Sequence, residues 1–223
     1  MASVTGAAVS GPCQHEQVIS TERSGNTADE QSRTHLLDLI GAIASWDDLE
    51  RTHLEEAAQW IAGGAPLHRV RAPDVPATHL VGYFVVLDHP RGELLLVAHR
   101  KAGLWLPTGG HVDPGEEPWA AVARECREEL GIEAVASPIT GERPVFLTVT
   151  RTRGQGAHTD VSLWYLLSAD ATTVTSFDQG EFSAIRWLTD EQVLMEPAHV
   201  LDPHMHRFTR KLRHALGGVS RRR

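Results

Sequence analysis

The chain has 223 residues, enough for one ordinary domain of about 150 residues with appendages. Its 41% hydrophobic and 22% charged residues fit a soluble globular protein, and no apolar run approaches the roughly 20 residues of a membrane-spanning helix. A formal net charge of -8 argues against general binding of a nucleic-acid backbone, although Arg207, Arg210, Lys211, Arg213 and Arg221 to Arg223 make the C-terminal end locally basic.

Residues 1 to 30 are small, polar and poor in aromatics, without the basic start or apolar centre of a secretory signal, and are expected to be disordered. The two cysteines, Cys13 and Cys126, lie far apart in different contexts. Neither a disulfide framework nor a zinc cluster is expected from them, and a reducing cytoplasm is the simplest location. Residues 31 to 72 read as a helical extension. Leu36, Leu37, Ile40 and Ile43, then Leu49, Leu54, Ala57, Ala58 and Ile61, recur at helical spacing. Asp47 with Glu50 resembles a capping box for the second helix, and Gly63-Gly64 ahead of Pro66 stops it.

Pro73 and Pro76 mark a linker into the main domain, read as residues 73 to 200. His79 to Leu87 and Glu93 to Ala98 read as strands of a hairpin, joined by the turn chemistry of Asp88 to Gly92. Val145 to Thr150, Val161 to Leu167 and Ala184 to Leu188 read as further strands, the first two joined by the Gly-rich segment Arg153 to Gly156. Residues 201 to 223 read as a C-terminal helix over Pro203 to Leu216, with Gly217-Gly218 as its stop, and a basic tail.

Chemistry concentrates between the second and third of these strands. Asp113-Pro114-Gly115 is a tight turn, and Pro118 suits the first turn of a helix because it has no amide hydrogen to leave unpaired. On that helix Ala121, Val122, Cys126 and Leu130 form an apolar face, while Glu125, Glu128 and Glu129, at i, i+3 and i+4, gather on another. Such like charges repel unless solvent or a cation separates them. Hard oxygen donors at this density suit magnesium or manganese, ions that also bind phosphate oxygens.

Gly110, Glu116, Arg124, Glu125, Cys126, Glu128, Glu129, Gly131 and Ile132 match the box of the Nudix hydrolase family at its fixed spacing, with Cys126 at an aliphatic position as the one departure. With its flanking strands, the resemblance covers about Val75 to Glu196. It implies an α/β Nudix fold, a mixed sheet sandwiched between helices, in which water attacks a phosphorus of a nucleoside diphosphate linked to another moiety. Carried over by position, Glu128 and Glu129 are the principal metal ligands, joined by a carbonyl of Gly109 or Gly110. Glu125 is a ligand or the general base. Arg124 pairs with the box carboxylates and orients them; Glu116, Gly110 and Gly131 are structural. Glu181, six residues ahead of Trp187, matches the additional downstream carboxylate ligand, and Mg2+ is the implied cofactor, with Mn2+ as a substitute. The resemblance also accommodates a homodimer.

Substrate contacts are less sharply drawn. Trp105 and Trp164 either stack on a base or fill the core, His158 and Asp160 either touch ribose or phosphate or are ordinary surface residues, and Arg100 is a further candidate. The Thr108 hydroxyl either faces the phosphates or caps its loop. His199, His204 and His206 cluster without an acidic or cysteine partner to complete a metal site. Cys126 points toward packing and is not a nucleophile. Within the family, a proline or tyrosine about fifteen residues past the box tends to mark ADP-ribose and dinucleoside polyphosphate enzymes, and Phe146 to Thr150 contains neither. A nucleoside triphosphate cleaved to monophosphate and pyrophosphate is the expectation by elimination. The alternatives are an ADP-sugar or dinucleoside polyphosphate hydrolase and a nucleotide-sensing module that has lost catalysis.

Overall fold

A computed structural model describes residues 29–71, 75–152 and 157–220. The disordered-tail expectation, Cys13, the glycine-rich segment after Arg153 and the final arginines lie outside those residues. Helix α1 spans 29–41 and α2 spans Asp48–Ala62. Asp47 caps α2 through its side chain, which accepts the Glu50 amide at 2.8 Å. The reciprocal half of the box is altered: Glu50 turns inward, fully buried, and accepts the Trp46 amide at 2.6 Å. Arg33 of α1 reaches across to the carbonyls at the end of α2, donating to Ile61 and Ala65 at 2.9 Å each. Both carbonyls lie at or just past the C-terminal end of α2, so the contact ties α1 to that end of the helix.

The main body is a seven-stranded mixed sheet. Strands β1 (Thr78–Asp88) and β2 (Glu93–His99) form the expected hairpin, closed by buried Asp88, whose Oδ1 accepts the Arg91 amide and Oδ2 the Ala171 amide. β1 then pairs in parallel with β6 (Thr159–Ser168), which pairs antiparallel with β5 (Phe146–Arg151). β7 (Phe182–Thr189) lies along β2. Two short strands depart from the sequence reading: β3 (Leu104–Leu106) on β2, and β4 (Thr108–His111) on β1. The first is only three residues long, and the second carries two glycines, so neither shows the β-branched alternation by which strands are recognised.

Alternation along β1 and β6 sorts the core into two layers. Leu80, Phe84 and Val86 of β1, with Leu163 and Tyr165 of β6, pack against helix α3 (Pro118–Leu130) and the α1–α2 pair. Val85, Leu87, Trp164 and Leu166 face the other way, toward Phe208 and Leu212 of α5 (Met205–Ser220). Helix α5 runs through Gly217-Gly218 instead of stopping there. A short helix α4 (Asp190–Met195), capped by Thr189 and Gln192, precedes it. Two ion pairs, Arg207 with Asp47 and Lys211 with Glu50 at 2.6 Å, tie α5 to α2. The arrangement is the mixed sheet sandwiched between helices that the sequence implies.

Candidate active site

Helix α3 forms where the sequence predicts it, with Pro118 in its first turn and Gly131 closing it in the left-handed conformation, φ 65°. Ala121, Val122, Cys126 and Leu130 are all fully buried. Burial pushes the Cys126 thiol up to about 12, so it stays protonated and inert. The face beside this apolar seam carries the glutamates over the end of β4.

Arg124 organises that face. Its Nε and Nη2 donate to the two oxygens of Glu116 at 3.0 and 2.9 Å, a paired contact that fits the guanidinium fork. Nη1 donates to Glu125 at 2.7 Å and reaches Glu128 at 3.5 Å, while Nη2 also donates to the His111 carbonyl at 2.9 Å. Glu116 in turn accepts the Asp113 amide at 3.1 Å, closing the loop between strand and helix. The guanidinium holds Glu116 below the usual carboxylate range.

The two glycines of β4 are shaped by the carboxylates. Gly109 has φ +148°, and its amide donates to Glu129 Oε2 at 3.0 Å. A Cβ on Gly110 would overlap the Glu125 carboxylate, so only glycine lets that side chain lie against the strand. Glu129 is 6% exposed. Burial, with the nearby charges of Glu125 and Glu181, pushes its carboxyl up to about 9. Burial also raises Glu125, against the opposing pull of Arg124. Exposed Glu128 completes the set. Arg124 thus touches Glu116, Glu125 and Glu128, and the charges of Glu128 and Glu181 bear on Glu125 as those of Glu125 and Glu181 bear on Glu129. Their excess negative charge and hard oxygen donors fit a divalent cation such as Mg2+ or Mn2+, with Glu125, Glu128, Glu129 and Glu181 as the residues able to hold it.

The remaining candidates fall elsewhere. Arg100 lies beside Glu181, its amide donating to the Glu181 carbonyl at 2.8 Å and its Nε to the carbonyls of Gln179 and Phe182. Trp105 is half-buried, with the Arg186 guanidinium 4.1 Å from its ring centre. Trp164 belongs to the core: it is buried, donates to Thr148 Oγ1 at 2.9 Å and stacks on Phe208, which removes it from any substrate. Thr108 is buried in β4 opposite Phe84. His204 and His206 are spent on Arg207 and the Val193 carbonyl. His158 and Asp160 are brought together with His79 and His111, two residues not singled out in the sequence. The clue available there was position: His111 directly follows the glycine pair, and His158 and Asp160 open a strand.

A family model described as the NUDIX domain matches residues 78–212. The CTP pyrophosphohydrolase of Escherichia coli K12 is 32% identical over 97 residues, covering 44% of this chain and 64% of that protein. The asymmetrical bis(5'-nucleosyl)-tetraphosphatase of Mus musculus is 37% identical over 100 residues, covering 44% and 65%. A solved structure of the MutT protein from Methanosarcina mazei Go1 is similar at 21% identity and a TM-score of 0.47, covering 61% of this chain and 94% of that one. The chain spans less than two thirds of the length of the first curated relatives it matches.

Proposed function

Because this chain belongs to the NUDIX family, we propose that it hydrolyses a phosphoanhydride of a nucleoside triphosphate, releasing nucleoside monophosphate and pyrophosphate. One observation carries the reading: Glu125, Glu128 and Glu129 stand together at the end of β4, with Glu129 anchored on the Gly109 amide and Glu125 seated against Gly110. All the charged positions of the box are present, which disfavours a sensor that has shed catalysis. Among relatives, the name of the E. coli protein supports a nucleoside triphosphate.

A bound divalent cation would neutralise phosphate charge and lower the pKa of the attacking water. The chain's own groups supply the rest. Glu128 and Glu129 would hold the cation, and the Gly109 amide keeps Glu129 in place. Glu125, nearest the strand and half-buried, takes the proton of the water as its oxygen bonds to phosphorus and the bridging P–O bond breaks toward pyrophosphate. Arg124 fixes the orientation of Glu125 and ties it through Glu116 to the loop.

A second reading has its own support in the mouse relative, whose name specifies a dinucleoside tetraphosphate. Product analysis separates the two. With Mg2+ or Mn2+ supplied, nucleoside triphosphates, dinucleoside polyphosphates and ADP-sugars are incubated with the protein and the products resolved by chromatography. Pyrophosphate from a triphosphate supports the first reading; a triphosphate released from a dinucleoside tetraphosphate supports the second. Glu128→Gln and Glu129→Gln should each lower kcat by at least about 100-fold while leaving the circular dichroism spectrum intact. Near-normal turnover across a metal titration would remove these residues from the mechanism.

A further inference from the structure

We propose that His79, His111, His158 and Asp160 form a second metal site, one that takes a zinc ion in a closed, structural coordination. Strand register assembles it. His79 of β1 is the partner of Asp160 on parallel β6, and His111 of β4 pairs with Val81, two residues farther along β1. Period-two alternation places all three on the sheet face opposite α3, and His158 joins them from just before β6. The four ligand atoms lie within 4.8 Å of one another, and none comes from the glutamates of the box.

The contacts around the rings turn their Nε2 atoms toward a common point. His79 Nδ1 lies 3.0 Å from the Pro76 carbonyl, which only accepts, so Nδ1 carries a proton and Nε2 is the atom the neutral ring offers to a metal. His79 Nε2 is then 2.9 Å from His111 Nε2 and 3.2 Å from Asp160 Oδ1. His158 Nε2 likewise lies 3.2 Å from Asp160 Oδ1, while its Nδ1 stands 3.2 Å from Thr152 Oγ1. Asp160 Oδ1 is buried and, although near both rings, makes no well-aligned hydrogen bond. Imidazole nitrogens and a carboxylate oxygen converging in a partly buried place suit a metal cation. The outward bonds from Nδ1 to a carbonyl and a hydroxyl are the outer support that metal-bound imidazoles usually have.

The donor set selects the ion. Imidazoles with one carboxylate suit zinc, whereas magnesium prefers oxygen throughout. Zinc–nitrogen bonds of about 2.0–2.1 Å put tetrahedral donors roughly 3.3 Å apart. The closest pairs here stand at 2.9 and 3.2 Å, so the strands need move little. Four protein donors leave no open position, which marks a structural ion joining β1, β4 and β6. Its effect reaches the box, because the His111 carbonyl accepts from Arg124 and the strand it anchors presents Gly109 and Gly110.

Cobalt tests this without recourse to activity. Tag-free protein stripped by chelator is titrated with Co2+, and the intense visible absorption of tetrahedral cobalt is expected to saturate at one equivalent and vanish on adding Zn2+. A Glu125→Gln, Glu128→Gln, Glu129→Gln triple variant should keep that absorption, while His111→Ala and His158→Ala should each weaken cobalt binding at least tenfold. Should His111→Ala fail to fold, the loop variant His158→Ala decides. Only the faint spectrum of octahedral cobalt, persistence of the intense band in both histidine variants, or its loss in the triple variant would each overturn the proposal. The spectrum stands apart from catalysis, so an inactive protein leaves this test intact.

Discussion

Gly110 is the residue on which the geometry of the box turns. A methyl group there has no room except by pushing the Glu125 carboxylate off the strand, and a displacement of about 1 Å at a reacting group costs on the order of 100-fold in rate. Gly110→Ala should therefore fold, bind nucleotide with a KM close to that of the parent, and lose kcat by about that factor in steady-state assays. A comparable loss in KM alone would mean that Glu125 positions substrate and not the attacking water. Much of this site was legible because it is local. The glutamates, Arg124 and the two glycines lie within about two dozen residues, and helical spacing alone brings the carboxylates to one face. The histidine cluster was not, because His79 and His158 meet only through the parallel register of β1 and β6, which no local spacing encodes. Counting cysteines could not bear on it for a related reason: the proposed donors are three imidazoles and one carboxylate, scattered over three strands and a loop.

The pairing of α2 with α5 rests on a buried charge. Glu50 has no exposure and is balanced by Lys211 Nζ at 2.6 Å and the Trp46 amide. Removing the cation strands a carboxylate in the interior, whereas removing both charges leaves no such penalty. Lys211→Met should cost about 3 kcal/mol in urea unfolding, and adding Glu50→Gln should restore most of it. Additive losses in that cycle would show that the pair is not coupled. Sequence pattern found α2 through its apolar spacing and its Asp47 cap, but read Glu50 as half of a capping box, since the local motif cannot reveal that α5, more than 150 residues later, supplies a lysine. The same limit hid β4 and let Gly217-Gly218 pass for a helix stop. In β4 the pairing with β1 is made by backbone groups that glycine provides as well as valine, and α5 continues through its glycines to Ser220.

Acid should act on the molecule through groups that oppose one another. Burial lowers His204 to about 4, so the unfolded chain binds its proton first, and that stability is lost as pH falls from about 6.5 to 4. Burial raises Asp202 to about 6, so here the folded protein binds the proton first, and stability is gained over nearly the same interval as pH falls. The two residues lie two positions apart at the start of α5, and their slopes largely cancel between about pH 6 and 4. Asp47 acts lower down. Arg207 holds it at about 2, so its contribution, about 1–2 kcal/mol after allowing for solvent screening of a one-third exposed carboxylate, is lost only as pH falls from about 4 to 2. The urea midpoint of the metal-stripped protein should consequently fall less between pH 6 and 4 than that of Asp202→Asn. In Asp202→Asn the opposing proton is gone while the amide oxygen still accepts the His204 amide, so the decline over that interval should be steeper than in the parent. Identical pH profiles for the two proteins would mean that Asp202 does not hold its proton in the folded state, and that the segment leading into α5 tolerates a buried charge through its amides and the Tyr83 hydroxyl.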